Sequence, residues 1–304
     1  MDLPYEDIFR RLGSDLSNKK DIPPDINLIV TGGGFTGYYA TGIFGILIEM
    51  MNRNLIKIHH YYGASVGAMA CTCLLGNISM LQWIKYYQVV REDYAQNGTY
   101  PIEAFRKILV QVLPEDIHLR ANGRLHISVR PYSSLLNEHV INQYHSKQNL
   151  IDVVLASCTI PFITINQIGY NLLHNGSQLL TIDGIWPPRP NHDNEYPTLK
   201  INLMQYLLPY RHRLTPTLKS IDLLIMHGCI DGYNFFMYGE SNSCIYFKKR
   251  HSIIKILFKN IWKILFIILF VYWKRKFFGN LISNYRDRLR TFSGRGFSLE
   301  KTLR

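Results

Sequence analysis

The sequence predicts an α/β layered domain followed by a basic, apolar helical tail. Two successive strand–glycine turn–helix units, at residues 27–50 and 58–75, argue for the layered domain. Apolar residues make up 47% of the 304 and charged residues 18%, which supplies a sizeable core and excludes wholesale disorder. Charge is split along the chain. The first 240 residues hold 19 basic and 20 acidic side chains, whereas residues 241–304 hold 15 basic side chains against Asp287 and Glu300 alone. The first part reads as a near-neutral globule and the last as a segment that seeks an anionic partner. Gly and Pro follow no period, which excludes collagen-like and low-complexity architecture.

Residues 1–24 read as a lead-in ending at Pro23-Pro24, which stops any helix there. The start, Met1-Asp2-Leu3-Pro4, holds no apolar run of signal-peptide length, so the expectation is an intracellular protein, not a secreted one. Asn27 to Thr31 is a short apolar run of strand type that stops at Gly32-Gly33-Gly34. Ile43, Phe44, Ile46, Leu47 and Met50 then recur at helical spacing. The second unit repeats the pattern: Ile58 to Tyr62, then Gly63-Ala64-Ser65-Val66-Gly67, then a small-residue helix from Ala68 to Leu75. Residues 80–113 read as helical with a break at Asn97-Gly98 and Pro101, and Leu125 to Val129 and Leu179 to Ile182 read as strands. Ile221 to Met226 fits a late strand or a helix start, and periodicity over so short a run does not decide. Five cysteines are too few and too odd in number for a disulfide framework and fit a reducing compartment. Cys71 and Cys73 lack a second pair and read as small helix-core residues, not metal ligands.

In the tail, Ile253 to Trp273 is strongly apolar, yet Lys255, Lys259 and Lys263 interrupt it every fourth residue and stack on one side of a helix. Phe258, Trp262, Phe266 and Phe270 form a parallel aromatic row. Only residues 264–273 lack charge, against the roughly 20 needed to span a bilayer. An interfacial helix with its lysines outward fits better, flanked by Lys248-Lys249-Arg250 and Lys274-Arg275-Lys276. A buried helix with snorkelling lysines is the alternative. The expected partner is a membrane or lipid-droplet surface, met through residues 248–276. Nucleic acid is disfavoured, because Ile264, Leu265, Ile267, Ile268, Leu269 and Val271 would stay exposed on it.

Three motifs carry chemistry. Gly63-Ala64-Ser65-Val66-Gly67 matches G-x-S-x-G, in which the serine sits on a tight strand-to-helix turn and Gly63 and Gly67 leave room around it. Gly32-Gly33-Gly34-Phe35-Thr36-Gly37 contains G-x-G-x-x-G. A dinucleotide fingerprint would need an acidic residue about 20 positions on, where Lys57 stands instead. The competing reading is an oxyanion hole, with glycine-turn amides at a helix N-terminus facing a developing alkoxide. Asp183-Gly184 ends an apparent strand, where an α/β domain presents functional groups, although an aspartate in a turn is common. His192, His212 and His227 follow Asp183 in the order of a serine–aspartate–histidine hydrolase and form a rival reading.

The three motifs occur in order, each after a strand, and there the sequence resembles the patatin-like phospholipase family. The stretches 61–70 (YYGASVGAMA), 112–129 (VLPEDIHLRANGRLHISV) and 157–162 (SCTIPF) look like its adipose triglyceride lipase and adiponutrin branch. The resemblance covers about residues 25–190. It implies a three-layer α/β/α sandwich with a mixed central sheet over residues 25–247, between the lead-in 1–24 and the tail 248–304. It implies Ser65 as nucleophile and Asp183 as its partner without a histidine, oxyanion donors among Gly32, Gly33, Gly34 and Gly37, and no metal or cofactor. The activity implied is hydrolysis of a carboxylic ester in a lipid through an acyl-enzyme. A lipid acyltransferase, or a catalytically weak lipid-binding protein, are the alternatives. One departure stands out. The family motif ends D-G-G or D-G-A, and this chain has Ile185 in third place, where a β-branched residue strains a turn that needs positive φ.

Overall fold

The architecture is that of a computed structural model, which describes residues 5–17, 19, 22–134, 137–188, 195–206 and 218–247. The tail from residue 248, with its expected interfacial helix, and residues 189–194 and 207–217 lie outside the described residues.

A mixed eight-stranded sheet lies at the centre, flanked by helices. Its strands are β1 (Asp25–Val30), β2 (Lys57–Ala64), β3 (Leu125–Pro131), β4 (His139–Ile141), β5 (Tyr170–His174), β6 (Ser177–Asp183), β7 (Thr198–Ile201) and β8 (Ile245–Phe247). The order is β5-β6-β3-β2-β1-β7-β8, with β4 paired to β3. The strands β3, β2, β1 and β7 are parallel, while β4, β5, β6 and β8 add antiparallel edges. Both strand–turn–helix units are present: β1 leads into α2 (Gly37–Asn52) and β2 into α3 (Val66–Leu75). The helical stretch expected over 80–113 is α4 (Met80–Asn97) and α5 (Pro101–Val112). Gly98 closes α4 in the left-handed conformation, Pro101 opens α5, and the short α6 (Ile117–Ala121) precedes β3.

Register decides what meets at the sheet's carboxyl edge. Val30 pairs with Gly63 on one side and with Ile201 on the other, so the turns after β1, β2 and β7 leave at one level. Ala64 pairs with Ser128, and Val129 pairs with Asp183 of the antiparallel β6. The chain therefore delivers Ser65 and Asp183 to the same height on either side of β3.

Some elements were not expected. Residues 5–16, read only as lead-in, form helix α1 (Tyr5–Leu16), which buries Tyr5, Phe9 and Leu16 and hydrogen-bonds Tyr5 Oη to Asp222 at 2.7 Å. The ambiguous stretch at 221–226 belongs to α8 (Leu218–Tyr238). Its inner face runs Ile221, Leu224, Ile225, Gly228, Cys229 and Gly232, a helical period that emerges only over a longer window. Its backbone closes on α2: a methyl on Gly228 would lie 2.0 Å from the Tyr39 carbonyl oxygen. Tyr39 Oη donates to Asp231 at 2.6 Å across the same contact. Cys71 and Cys73 are buried in α3, as expected. Among the described residues no helix is long and apolar enough to cross a membrane.

Candidate active site

The serine stands on a strained turn. Ser65 links β2 to α3 at φ 53°, ψ −135°, a conformation that non-glycine residues avoid and that turns the side chain out of the helix it precedes. The neighbouring glycines make the turn sterically possible. A methyl on Gly63 would lie 2.5 Å from Ala68 Cα, and one on Gly67 2.3 Å from the Val30 carbonyl oxygen. The elbow is tied down from behind. The Ser65 N–H donates to Ser157 Oγ at 2.9 Å, and Ser157 Oγ donates to the Ser128 carbonyl at 2.7 Å. Ser157 sits at the end of α7 (Lys147–Ser157), fully buried.

Asp183 is 9% exposed and ends β6. Its own N–H donates to the Thr159 carbonyl at 2.8 Å, and the Gly184 N–H to the Ser157 carbonyl at 3.2 Å. The segment after α7 therefore grips both halves of the site. The carboxyl Oδ1 accepts the Ile185 N–H at 2.6 Å, while Oδ2 is buried and has no hydrogen-bond partner among the described residues. Burial lifts the Asp183 pKa from its ordinary 3.8 to about 6. The Ser65 hydroxyl, the Ile185 N–H and the positive charge of Arg130 oppose part of that rise. Among the described residues no histidine acts on this carboxyl. Of the three rival histidines, His227 is exposed on α8 beside Tyr206, and His192 and His212 lie outside the described residues. His59 is held by Asp25 at 2.6 Å and stacks on Tyr196, as befits a packing residue.

The glycine turn closes the third side. A methyl on Gly32 would lie 3.0 Å from Ser65 Cβ and 3.3 Å from the Ile185 carbonyl oxygen, so the three motifs meet at this one residue. Gly34 takes a positive φ of 59°. Among the described residues no backbone carbonyl accepts from the N–H of Gly33 or Gly34, just ahead of α2. Gly37 differs: its N–H is used within the turn, on the Gly34 and Phe35 carbonyls, and its missing side chain admits Val66 and Tyr87 instead. Ile185 sits at φ 59°, the strained position its β-branch made suspect.

Sequence reasoning missed two residues here. Arg130, 2% exposed on β3, donates through Nε to the Gly184 carbonyl at 3.2 Å. Its own pKa is lowered by burial and supported by Glu138 and Asp183. No local pattern marks a lone strand arginine as buried. Ser157 was within reach only through the stretch 157–162, since nothing in its spacing shows that it anchors a serine 92 residues away.

A sequence profile described as patatin-like phospholipase matches residues 28–196, which contain every residue of this site. Omega-hydroxyceramide transacylase from Mus musculus is 28% identical over 148 residues, 46% of this chain and 24% of that protein. Patatin-like phospholipase domain-containing protein 2 from Homo sapiens is 32% identical over 142 residues, 44% of this chain and 28% of that protein. The human 1-acylglycerol-3-phosphate O-acyltransferase PNPLA3 is 29% identical over 143 residues, 45% of this chain and 30% of that protein. The matched region thus spans about a quarter to a third of the length of these curated relatives.

Proposed function

The chain belongs to the patatin-like phospholipase family, and from that premise we propose that it cleaves carboxylic esters in lipids with Ser65 and Asp183 as a two-residue catalytic pair. The observation that carries this reading is a serine on a strained elbow beside a buried carboxyl whose Oδ2 has no hydrogen-bond partner among the described residues. Ser65 Oγ attacks the acyl carbonyl while Asp183 accepts the hydroxyl proton. The oxygen that becomes negative is met by the N–H groups of the Gly33–Gly34 turn, at the N-terminus of α2. Collapse of the tetrahedral intermediate releases the alcohol, which takes the proton back from Asp183, and leaves an ester on Ser65. A water or a second alcohol, deprotonated by the same carboxylate, then removes the acyl group.

With water as acceptor the product is a fatty acid; with a lipid alcohol the same residues perform acyl transfer. The presence of a transacylase and an acyltransferase among the relatives supports the second outcome. The acyl acceptor is therefore the open variable of this reading. The basic, apolar residues 248–276 would hold the enzyme at a membrane or lipid-droplet surface, where its substrate resides. All five cysteines are free and buried, which suits a reducing intracellular setting.

The test is labelling with a fluorophosphonate, which reports an activated serine whatever the lipid. Wild type reacts at Ser65, and Ser65→Ala and Asp183→Asn do not, while both variants keep the wild-type circular dichroism. Labelling of Ser65→Ala at another serine would sink the reading. Product analysis of a radiolabelled acyl lipid, with and without a long-chain alcohol, then separates hydrolysis from transfer.

A further inference from the structure

We propose that Tyr87, on α4, is a positioning residue for the oxyanion turn: its phenol fixes the plane of the Gly34–Phe35 peptide beside Ser65. The proposal rests on the reading of the turn given above. Gly33 and Gly34 leave the turn without side chains to hold it, and glycine pairs lose more conformational freedom on ordering than any others. An external anchor is needed, and the structure shows one. Tyr87 Oη donates to the Gly34 carbonyl at 3.1 Å. That oxygen also accepts the Gly37 N–H, so both of its lone pairs are engaged on one side. A trans peptide is planar, with its N–H opposite its carbonyl. Fixing the Gly34 oxygen therefore fixes this peptide plane, and with it the end of the turn that carries the Gly33 and Gly34 N–H groups.

The anchor is itself immobile. The Tyr87 ring is 3% exposed, with Tyr38 edge-on at 4.7 Å and Phe35, Trp83 and Phe105 at 5.2, 5.3 and 5.2 Å. Burial also raises its pKa well above the usual tyrosine value, so the phenol stays a donor across the working pH range. Gly37 lets this group reach the site: a methyl there would lie 3.2 Å from Tyr87 Oη and 2.6 Å from Val66 Cγ2. The starts of α2 and α3 and the middle of α4 thus close on one point, one residue from Ser65. A buried tyrosine could instead be a core residue whose hydroxyl merely needs an acceptor, and the experiment separates the two.

Tyr87→Phe keeps the ring packing and removes one hydrogen bond. Hydrolysis of a soluble p-nitrophenyl ester by the full chain is followed beside melting temperature and amide hydrogen exchange of residues 33–36. Loss of a direct oxyanion donor costs about 100-fold or more in kcat, so loss of its support should cost about 10-fold, with KM unchanged. Exchange in the turn should quicken while the rest of the domain keeps its protection. A kcat within twofold of wild type, or a fall matched by global loss of melting temperature, overturns the proposal. Unchanged exchange at residues 33–36 overturns it as well. If wild type fails to react with a fluorophosphonate at all, the catalytic reading falls, and the exchange result alone decides whether Tyr87 holds the turn.

Discussion

Replacing Asp183 by Asn should abolish activity and, at neutral pH, make the protein more stable. Burial is the largest influence on this carboxyl and raises its pKa from 3.8 to about 6. A group that binds its proton more tightly when folded than when unfolded favours the native state at low pH. That advantage is full below about pH 4 and is lost as pH rises through 6. Above pH 6 the native state carries a buried anion at a cost of about 3 kcal/mol, taking about 1.4 kcal/mol per pH unit between the two values. Asn has nearly the same shape, carries no charge, and its amide oxygen still accepts the Ile185 N–H now held by Oδ1 at 2.6 Å. Urea denaturation of both proteins from pH 4 to pH 8 measures the difference, and every titration the two share cancels. The variant should gain on wild type as pH rises, by up to about 3 kcal/mol at pH 8, with the change centred between 4 and 6. A difference that does not vary with pH would refute the argument, because the carboxyl would then carry no cost of burial.

Two further outcomes follow from the same site. Arg130 lowers the Asp183 pKa, so Arg130→Gln should move the acid limb of the kcat/KM profile to higher pH than in wild type, while Arg130→Lys moves it less; profiles with the same limb in all three would remove Arg130 from the electrostatics. A chain truncated after Phe247 should retain esterase activity on a soluble ester and lose most of its recovery with anionic lipid vesicles in flotation; undiminished flotation would show that residues 248–276 are not the lipid contact.

What the sequence revealed and concealed follows from the range of each signal. The units around Gly32 and Ser65 were legible because a strand, a glycine turn and a helix each declare themselves within about 15 residues. The mixed character of the sheet came from family likeness alone. Yet a local clue was present: Asn175-Gly176 joins β5 to β6 with both residues at positive φ, the usual chemistry of a two-residue hairpin, and it reverses the strand that ends at Asp183. Helix α1 was legible in part, since Tyr5, Ile8, Phe9, Leu12 and Leu16 recur at helical spacing, but the α2 and α8 partners that bury this face lie far along the chain. Arg130, Ser157 and Tyr87 were hidden for another reason. Each acts on a backbone atom far along the chain, at Gly184, Ser65 and Gly34, and a backbone partner leaves no trace in residue type.

The distribution of strain says which part of the fold has been bent to a purpose. Among the described residues six non-glycine positions take a positive φ. Three are asparagines, Asn54, Asn77 and Asn175, which tolerate it. The other three are Ser65, Phe162 and Ile185. Ser65 and Ile185 both touch the space a side chain on Gly32 would fill, and Phe162 lies three residues beyond Thr159, whose carbonyl holds Asp183. Such positions cost about 1–3 kcal/mol each and persist only where surrounding contacts impose them. Scattered strain would suggest tolerance of poor local geometry. Strain confined to the elbow, the turn after the carboxyl and the segment gripping both suggests that stability has been given up to aim these groups at one another. At Ile185 the aim is kept with a side chain that makes it harder, because the amide it holds in place is the one that donates to Asp183 Oδ1.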